Sequence, residues 1–354
     1  MTVSSVSPSA SLEARVDALV DRYRASIRRA MGRFLDGRTL RHYGFMRYHL
    51  GWEDARGNPV DGRTGKLLRP VLCLLSCEAV GGDAERALPA AASIEFLHNF
   101  TLVHDDIQDA SPKRHGRDTV WSLWGQALAI NVGDGLYALA HYAMLTLSDA
   151  GVAPETTLRA VAELDEASLR LCEGQFYDLT FEERDFVSCD EYLAMIEGKT
   201  AALMAASMAI GALAGGADEA AVAAFREAGR RLGLAFQIRD DVLGVWGDPA
   251  DTGKVTGEDI WSRKKTYPVV YAMEHASEED RARLKALYGA PRFKREAFDE
   301  VSAILERSRA RTASDEAALR HAEAAMSALE GLDLRPEARE GLATLAAYFA
   351  RRPR

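Results

Sequence analysis

The sequence predicts an all-α protein built as one large helical domain, and three observations lead there. The long segments are rich in Ala, Leu, Glu and Arg, residues that lose little on entering a helix. Strand signals are nearly absent, because runs of alternating β-branched residues do not occur. Breakers at Asn58-Pro59, Gly81-Gly82, Gly151 to Pro154, Gly215-Gly216, Gly289 to Pro291 and Gly331 divide the chain into roughly ten helices. With 354 residues, 47% hydrophobic and 27% charged, there is apolar material for a large core.

Residues 1–15 are expected to form a loose tail. Met1 to Ser11 is Ser-rich and has neither the basic nor the apolar stretch of a secretory signal. The remainder, 16–354, reads as a single domain: no Pro/Ser-rich linker, charge block or composition shift interrupts it. Cys73 and Cys77 share a helix face within Val71-Leu72-Cys73-Leu74-Leu75 and are expected to be buried thiols. Neither they nor Cys172 and Cys189 form a C-x-x-C pair, which suits a reducing cytoplasmic setting.

Further along, Ser188 and Glu191 form a capping box ahead of Leu193 and Ile196. The uncharged run from Thr200 to Ala217 approaches spanning length but is mostly Ala, Gly and Ser, so it reads as a buried helix and not a transmembrane segment. Ser314, followed by Asp315 and Glu316, is expected to start a helix that turns Leu319, Ala322, Met326 and Leu329 inward. A net charge of -9 argues against nucleic acid as a partner, since backbone phosphates require a basic surface.

The chemistry lies in two aspartate motifs inside apolar, helix-patterned stretches: Asp105-Asp106-Ile107-Gln108-Asp109 and Asp240-Asp241-Val242-Leu243-Gly244. Asp105 and Asp109 are four residues apart, so on a helix their carboxylates project from one face and repel. At an effective dielectric of 20 the repulsion reaches about 4 kcal/mol per close pair, and a divalent cation reverses its sign. One such motif alone would read as a solvated acidic turn; two on apolar helices do not. Oxygen-only ligands favour Mg2+, which completes its shell with water and substrate phosphate, so a diphosphate substrate is implied.

Cations accompany the acids. Gly65-Lys66-Leu67-Leu68-Arg69-Pro70 places Lys66 and Arg69 at a loop-to-helix junction, within reach of one anionic group. His98 lies about two turns before Asp105 on nearly the same face. Pro112-Lys113-Arg114-His115-Gly116-Arg117 forms a basic loop after the first motif. Lys199, in Gly198-Lys199-Thr200, falls in an apolar helix where a lysine needs an anion. Gln237 precedes Asp240 by one turn, and Gly253-Lys254 and Arg263-Lys264-Lys265-Thr266 follow.

In that order and spacing, together with His98-Asn99-Phe100-Thr101-Leu102-Val103-His104-Asp105-Asp106 and Glu173-Gly174-Gln175, these segments resemble the trans-isoprenyl diphosphate synthases, the polyprenyl synthetase family. The resemblance implies an all-α bundle, usually a homodimer, with both motifs holding Mg2+ at the mouth of a deep apolar pocket. It implies Asp105, Asp109 and Asp240 as principal metal ligands, supported by Asp106 and Asp241. Lys199, Thr200 and Gln237 would be catalytic, and Arg114, Lys199, Gln237, Lys254 and Lys264 would grip the allylic diphosphate. Lys66, Arg69, His98 and His115 match the positions that bind isopentenyl diphosphate. Phe100 and Thr101 would set chain length, giving a C20 product first and C15 second.

Three departures from the family pattern stand out. His115 occupies the place of a second arginine and carries only part of its charge at neutral pH. Leu67 stands where longer-chain members often have arginine, and Gly244 replaces the last aspartate of the second motif. Two rival readings follow: a terpene cyclase that ionises a prenyl diphosphate without isopentenyl diphosphate, motivated by His115, and a non-catalytic subunit that regulates a prenyltransferase.

Overall fold

The computed structural model describes residues 11–60, 65–247, 257–290 and 293–352. The first helix, α1 (Leu12–Leu35), is capped by Ser11, whose side chain accepts from the Ala14 N–H. The expected tail to residue 15 is therefore too long: Val16 and Val20 already belong to the core, and that apolar stripe starts the helix.

There follow α2 (Arg41–His49), α3 (Leu68–Ala79), α4 (Ala84–Gln108), a hairpin of β1 (Lys113–Arg114) and β2 (Arg117–Asp118), α5 (Val120–Trp124), α6 (Gln126–Leu145) and α7 (Pro154–Phe181). Next come α8 (Cys189–Ile196), a π-helical turn (Glu197–Ala201), α9 (Ala202–Ala214) and α10 (Glu219–Trp246). The described chain closes with α11 (Glu258–Trp261), α12 (Tyr267–His275), α13 (Glu278–Tyr288), α14 (Arg295–Arg307), α15 (Ala310–Ala328) and α16 (Pro336–Arg351). The helices are shorter and more numerous than the breakers alone suggested, because tight turns without Pro also end helices.

The centre is built around α9. Every residue of α9 is buried; it packs on α3, α7 and α10, and α4 lies against α3 and α6. Small side chains allow these close approaches. Cys189–Ala214 is long and apolar enough to cross a membrane, yet 72% of its most apolar window is buried inside this bundle. The capping box at Ser188 and Glu191 forms as expected, and Cys73 and Cys77 are buried free thiols.

Ser314 does not start a helix. It is buried inside α15, where its hydroxyl donates to the Ala310 carbonyl at 2.6 Å, and the inward stripe runs through Ala310, Ala317, Ala318, Ala322 and Ala325. A serine that bonds back to the carbonyl four residues earlier is satisfied mid-helix, so it carries no start signal. Of the four residues expected inward, Ala322 and Leu329 are buried, while Leu319 and Met326 pack partly buried on the core.

Candidate active site

The first acidic motif closes α4. Asp109 is the C-cap, its N–H bonded to the Asp105 carbonyl at 2.8 Å, and the last turn contains no basic residue. Carboxylates at the negative end of a helix dipole are disfavoured, so these positions call for a cation from outside the helix. Asp106 is buried and takes the Arg114 Nε–H at 2.8 Å from the hairpin. Asp105 is half-buried and Asp109 exposed. Burial raises the Asp105 pKa, Lys199 opposes the rise, and Asp109 adds to it.

The second motif lies near the end of α10, which also has no basic residue in its last turn. Asp241 is fully enclosed: the Tyr192 hydroxyl, the Tyr267 N–H at 2.8 Å and the Gln237 amide at 3.1 Å all donate to it. Burial pushes its pKa up to about 7 against those bonds. Thr200 donates to Gln237 at 2.8 Å, making a relay from the π-helical turn to Asp241. Asp240 is exposed and paired with Arg352. In each motif, then, one aspartate is buried in hydrogen bonds and its neighbour is more exposed.

A shared set of lysines links the two motifs electrostatically. Lys199 donates to Asp178 at 2.5 Å and acts on Asp105. Lys264 is open to solvent yet enclosed by walls of carboxylate. Surrounding protein disfavours its charge, but Asp178, Asp259, Asp241 and Asp109 together raise its pKa. Burial would raise the Asp178 pKa, but Lys264 and Lys199 hold it below the usual range. The neighbours of Lys264 in the basic run are engaged elsewhere: Arg263 donates to the Tyr288 and Ala290 carbonyls, and Lys265 to those of Phe181 and Glu182.

The placement of Lys199 depends on two glycines. A Cβ on Gly174 of α7 would lie 2.1 Å from the Lys199 backbone nitrogen, and one on Gly198 would lie 2.6 Å from the Arg170 carbonyl oxygen. Only bare backbone lets α7 touch the π-helical turn this closely. A turn of this kind inside an otherwise α-helical run often marks a functional position.

In the basic loop and the helix after it, Lys66 donates to the Tyr348 hydroxyl and Arg69 lies 3.2 Å from the His98 ring nitrogen. Burial lowers the Arg69 pKa to about 10 against the pull of Glu95, and burial with Arg69 and Arg114 holds His98 well below its usual value. The exposed His115 sits on the hairpin tip, near enough to act on His98. Leu67, His115 and Arg263 all have positive φ, of 51°, 50° and 57°, so the three segments carrying the cations are held in a left-handed conformation that side chains resist.

Phe100 packs edge-on against His104 at 4.8 Å and Tyr137 of α6 at 5.2 Å, while Thr101 is buried and bonds back to the His98 carbonyl. Lys254 lies outside the described residues.

Several residues escaped the sequence reading. Asp178 follows Gln175 by three positions on the face that meets Lys199, a spacing that could have revealed it. His49 had no such signal; burial, Arg114 and Arg117 lower its pKa to about 3. The position of Gly244 also finds its reason: a Cβ there would lie 1.8 Å from a carboxylate oxygen of Asp259, whose side chain occupies that space. A third carboxylate thus stands beside the second motif, supplied from α11.

The donor set fits a hard divalent cation. Asp105, Asp109 and Asp240 offer oxygen alone, and the last turns of α4 and α10 carry no basic residue. Among the described residues their oxygens do not gather in threes within 4.8 Å; Cys189, Glu274 and His275 do, where α8 meets α12. Spread carboxylates with lysines between them suit a ligand that brings its own anionic oxygens.

A model of the polyprenyl synthetase family matches residues 59–305. The chain is 45% identical over 259 residues to a (2E,6E)-farnesyl diphosphate synthase of Mycobacterium tuberculosis, covering 73% of this chain and 71% of that one. It is 43% identical over 274 residues to a geranylgeranyl diphosphate synthase of the same organism, covering 77% of each. A polyprenyl synthetase from Streptomyces coelicolor A3(2) superimposes with a TM-score of 0.87 at 39% identity, covering 94% of this chain and 99% of that one. For a geranylgeranyl pyrophosphate synthetase from Pyrococcus horikoshii the values are 0.86 and 34%, covering 97% and 100%. Match length, identity and shared fold agree, and the chain belongs to the polyprenyl synthetase family as a trans-polyprenyl diphosphate synthase, an enzyme that transfers prenyl groups.

Proposed function

We propose that this enzyme condenses isopentenyl diphosphate head to tail with an allylic diphosphate, using Mg2+ held by Asp105, Asp109 and Asp240. The observation that carries the reading is Lys264, charged amid carboxylates from both motifs, with Lys199 beside it. A diphosphate entering between the acidic walls meets both lysines and Arg114, and Lys254 joins them by resemblance. Bound Mg2+ would neutralise the charge that grows on the departing diphosphate.

The chain's own groups do the rest. Lys199, Lys264 and Arg114 grip the leaving group where charge develops. Thr200 and Gln237 hold Asp241 in place, and Asp106 fixes Arg114. Lys66, Arg69, His98 and His115 orient isopentenyl diphosphate so that its alkene supplies the electron pair of the new carbon–carbon bond as the allylic C–O bond breaks, and the proton then lost passes to the departed diphosphate. Apolar walls keep water from the cation.

Lys66, Arg69 and His98 favour this reading over a cyclase, which has no second diphosphate to bind. The intact acidic walls favour it over an inert subunit. Supplying labelled isopentenyl diphosphate with each of three allylic primers tests the proposal by its products. A hydrocarbon formed from farnesyl diphosphate and Mg2+ alone would overturn it.

The expected product is C20, with C15 second, and relatives of both kinds are similar to this chain. Phe100 is the proposed floor, braced by His104 and Tyr137. Phe100→Ala is expected to move products at least one isoprene unit longer in a chromatographic assay; an unchanged distribution would place the floor elsewhere. His115→Arg should lower the Michaelis constant for isopentenyl diphosphate about tenfold by making the charge permanent, since hydrogen bonds to charged groups contribute ~1.5–3 kcal/mol. An equal or higher constant would remove His115 from that role.

A homodimer is the proposed assembly. Leu128, Tyr142 and Leu145 on α6 and Leu169, Phe176 and Tyr177 on α7 are large, apolar and exposed, a combination that marks an interface. Sedimentation at micromolar concentration should give twice the 38.7 kDa chain mass.

A further inference from the structure

Asp240, the proposed metal ligand of the second motif, is already engaged. Just beyond α16, the Arg352 guanidinium donates to its carboxylate through Nη2 and lies over the Phe236 ring, 4.1 Å from the centroid. The Arg352 carbonyl accepts from Arg239 Nε at 2.8 Å. Its side chain is only 7% exposed, against 49% for that of Asp240. Nε of Arg352 is buried and has no partner among the described residues. One turn earlier, Tyr348 takes the Lys66 ammonium, so the same helix end touches the second acidic motif and the basic loop.

We infer that Arg352 is a positioning residue which stands in for the metal at Asp240 and must give way when a divalent cation arrives with diphosphate. This rests on the proposed function. A guanidinium and a divalent cation on one carboxylate repel each other, so the two compete. The pairing also holds the Asp240 carboxylate in place against repulsion from its acidic neighbours. The unpartnered Nε disfavours the docked state, since a buried donor left unsatisfied is destabilising. That imbalance makes Arg352 easy to release.

The test is Mn2+ binding to the full chain, followed by electron paramagnetic resonance with inorganic pyrophosphate as the anion. R352M is expected to bind Mn2+ about fivefold more tightly than wild type, the factor that losing one partly exposed ion pair gives. R352K, which keeps the charge, should stay within about twofold of wild type. In an Asp240→Asn background, R352M should change nothing.

Unchanged or weaker Mn2+ binding by R352M overturns the inference, as does a fivefold gain that persists with Asp240→Asn. A wild-type protein that binds no Mn2+ with pyrophosphate would overturn the proposed function and this inference together. Wild-type binding that ignores residue 352 would overturn this inference alone.

Discussion

Asp105→Asn is expected to lower kcat/KM by about three orders of magnitude, the scale of losing one electrostatic contact made in the transition state. The fold should survive. Asparagine keeps the shape, and the backbone bond between Asp109 and the Asp105 carbonyl does not involve the side chain. Stability without metal should even rise slightly at neutral pH. The Asp105 pKa is raised by burial, with Asp109 adding to it. A raised carboxylate pKa means that folding favours the protonated form, so ionisation withdraws stability as pH rises through the folded value. Asparagine has no such loss. Melting curves with and without Mg2+ and pyrophosphate would show a higher metal-free midpoint but a smaller gain on adding both. Activity within tenfold of wild type would remove Asp105 from the proposed ligand set.

Lys264→Met should lower the rate by about two to three orders of magnitude and also destabilise the metal-free protein. Lys264 feels the charge of four carboxylates, those of Asp178, Asp259, Asp241 and Asp109. Its raised pKa means that folding favours the charged ammonium, so the stability it contributes is present throughout the neutral range and is lost only as pH rises above the ordinary lysine value. Methionine removes that attraction and leaves the acids repelling one another. Asp241, already pushed up to about 7, is poised to take up a proton when its neighbouring charge disappears. The melting deficit of Lys264→Met should therefore be larger at pH 8 than at pH 6, where protonation relieves the repulsion. An equal deficit at both pH values would show that Lys264 contributes through packing and not through charge.

Much of the site was legible because its signals are local in sequence. The i,i+4 pairing of Asp105 and Asp109, the reciprocal cap of Ser188 and Glu191, and the shared face of Cys73 and Cys77 follow from helix geometry alone. What was not legible depends on tertiary neighbours. The sequence reads Asp105-Asp106 and Asp240-Asp241 as pairs; which member turns inward is decided by Arg114 in one case and by Tyr192, Tyr267 and Gln237 in the other. Arg352 lies 112 positions from Asp240, and no spacing rule connects them. The same holds for Asp259 over Gly244, where the glycine read as a missing ligand. Residues Gly198 to Thr200, expected on a continuous apolar helix, occupy a π-helical turn because Gly174 lets α7 press against it. Ser314 misled for a simpler reason: its cap-like composition was satisfied inside the helix.

The left-handed backbone at Leu67, His115 and Arg263 has a consequence for transplantation. Each residue holds a twist that its own side chain opposes, so the shape of these cation-bearing segments belongs to the surrounding scaffold and not to the segments themselves. Within the native frame this preorganisation spares the flanking cations a conformational search when a substrate arrives. Spliced into another helical host, the same short sequences would relax to commoner dihedrals and scatter their charges.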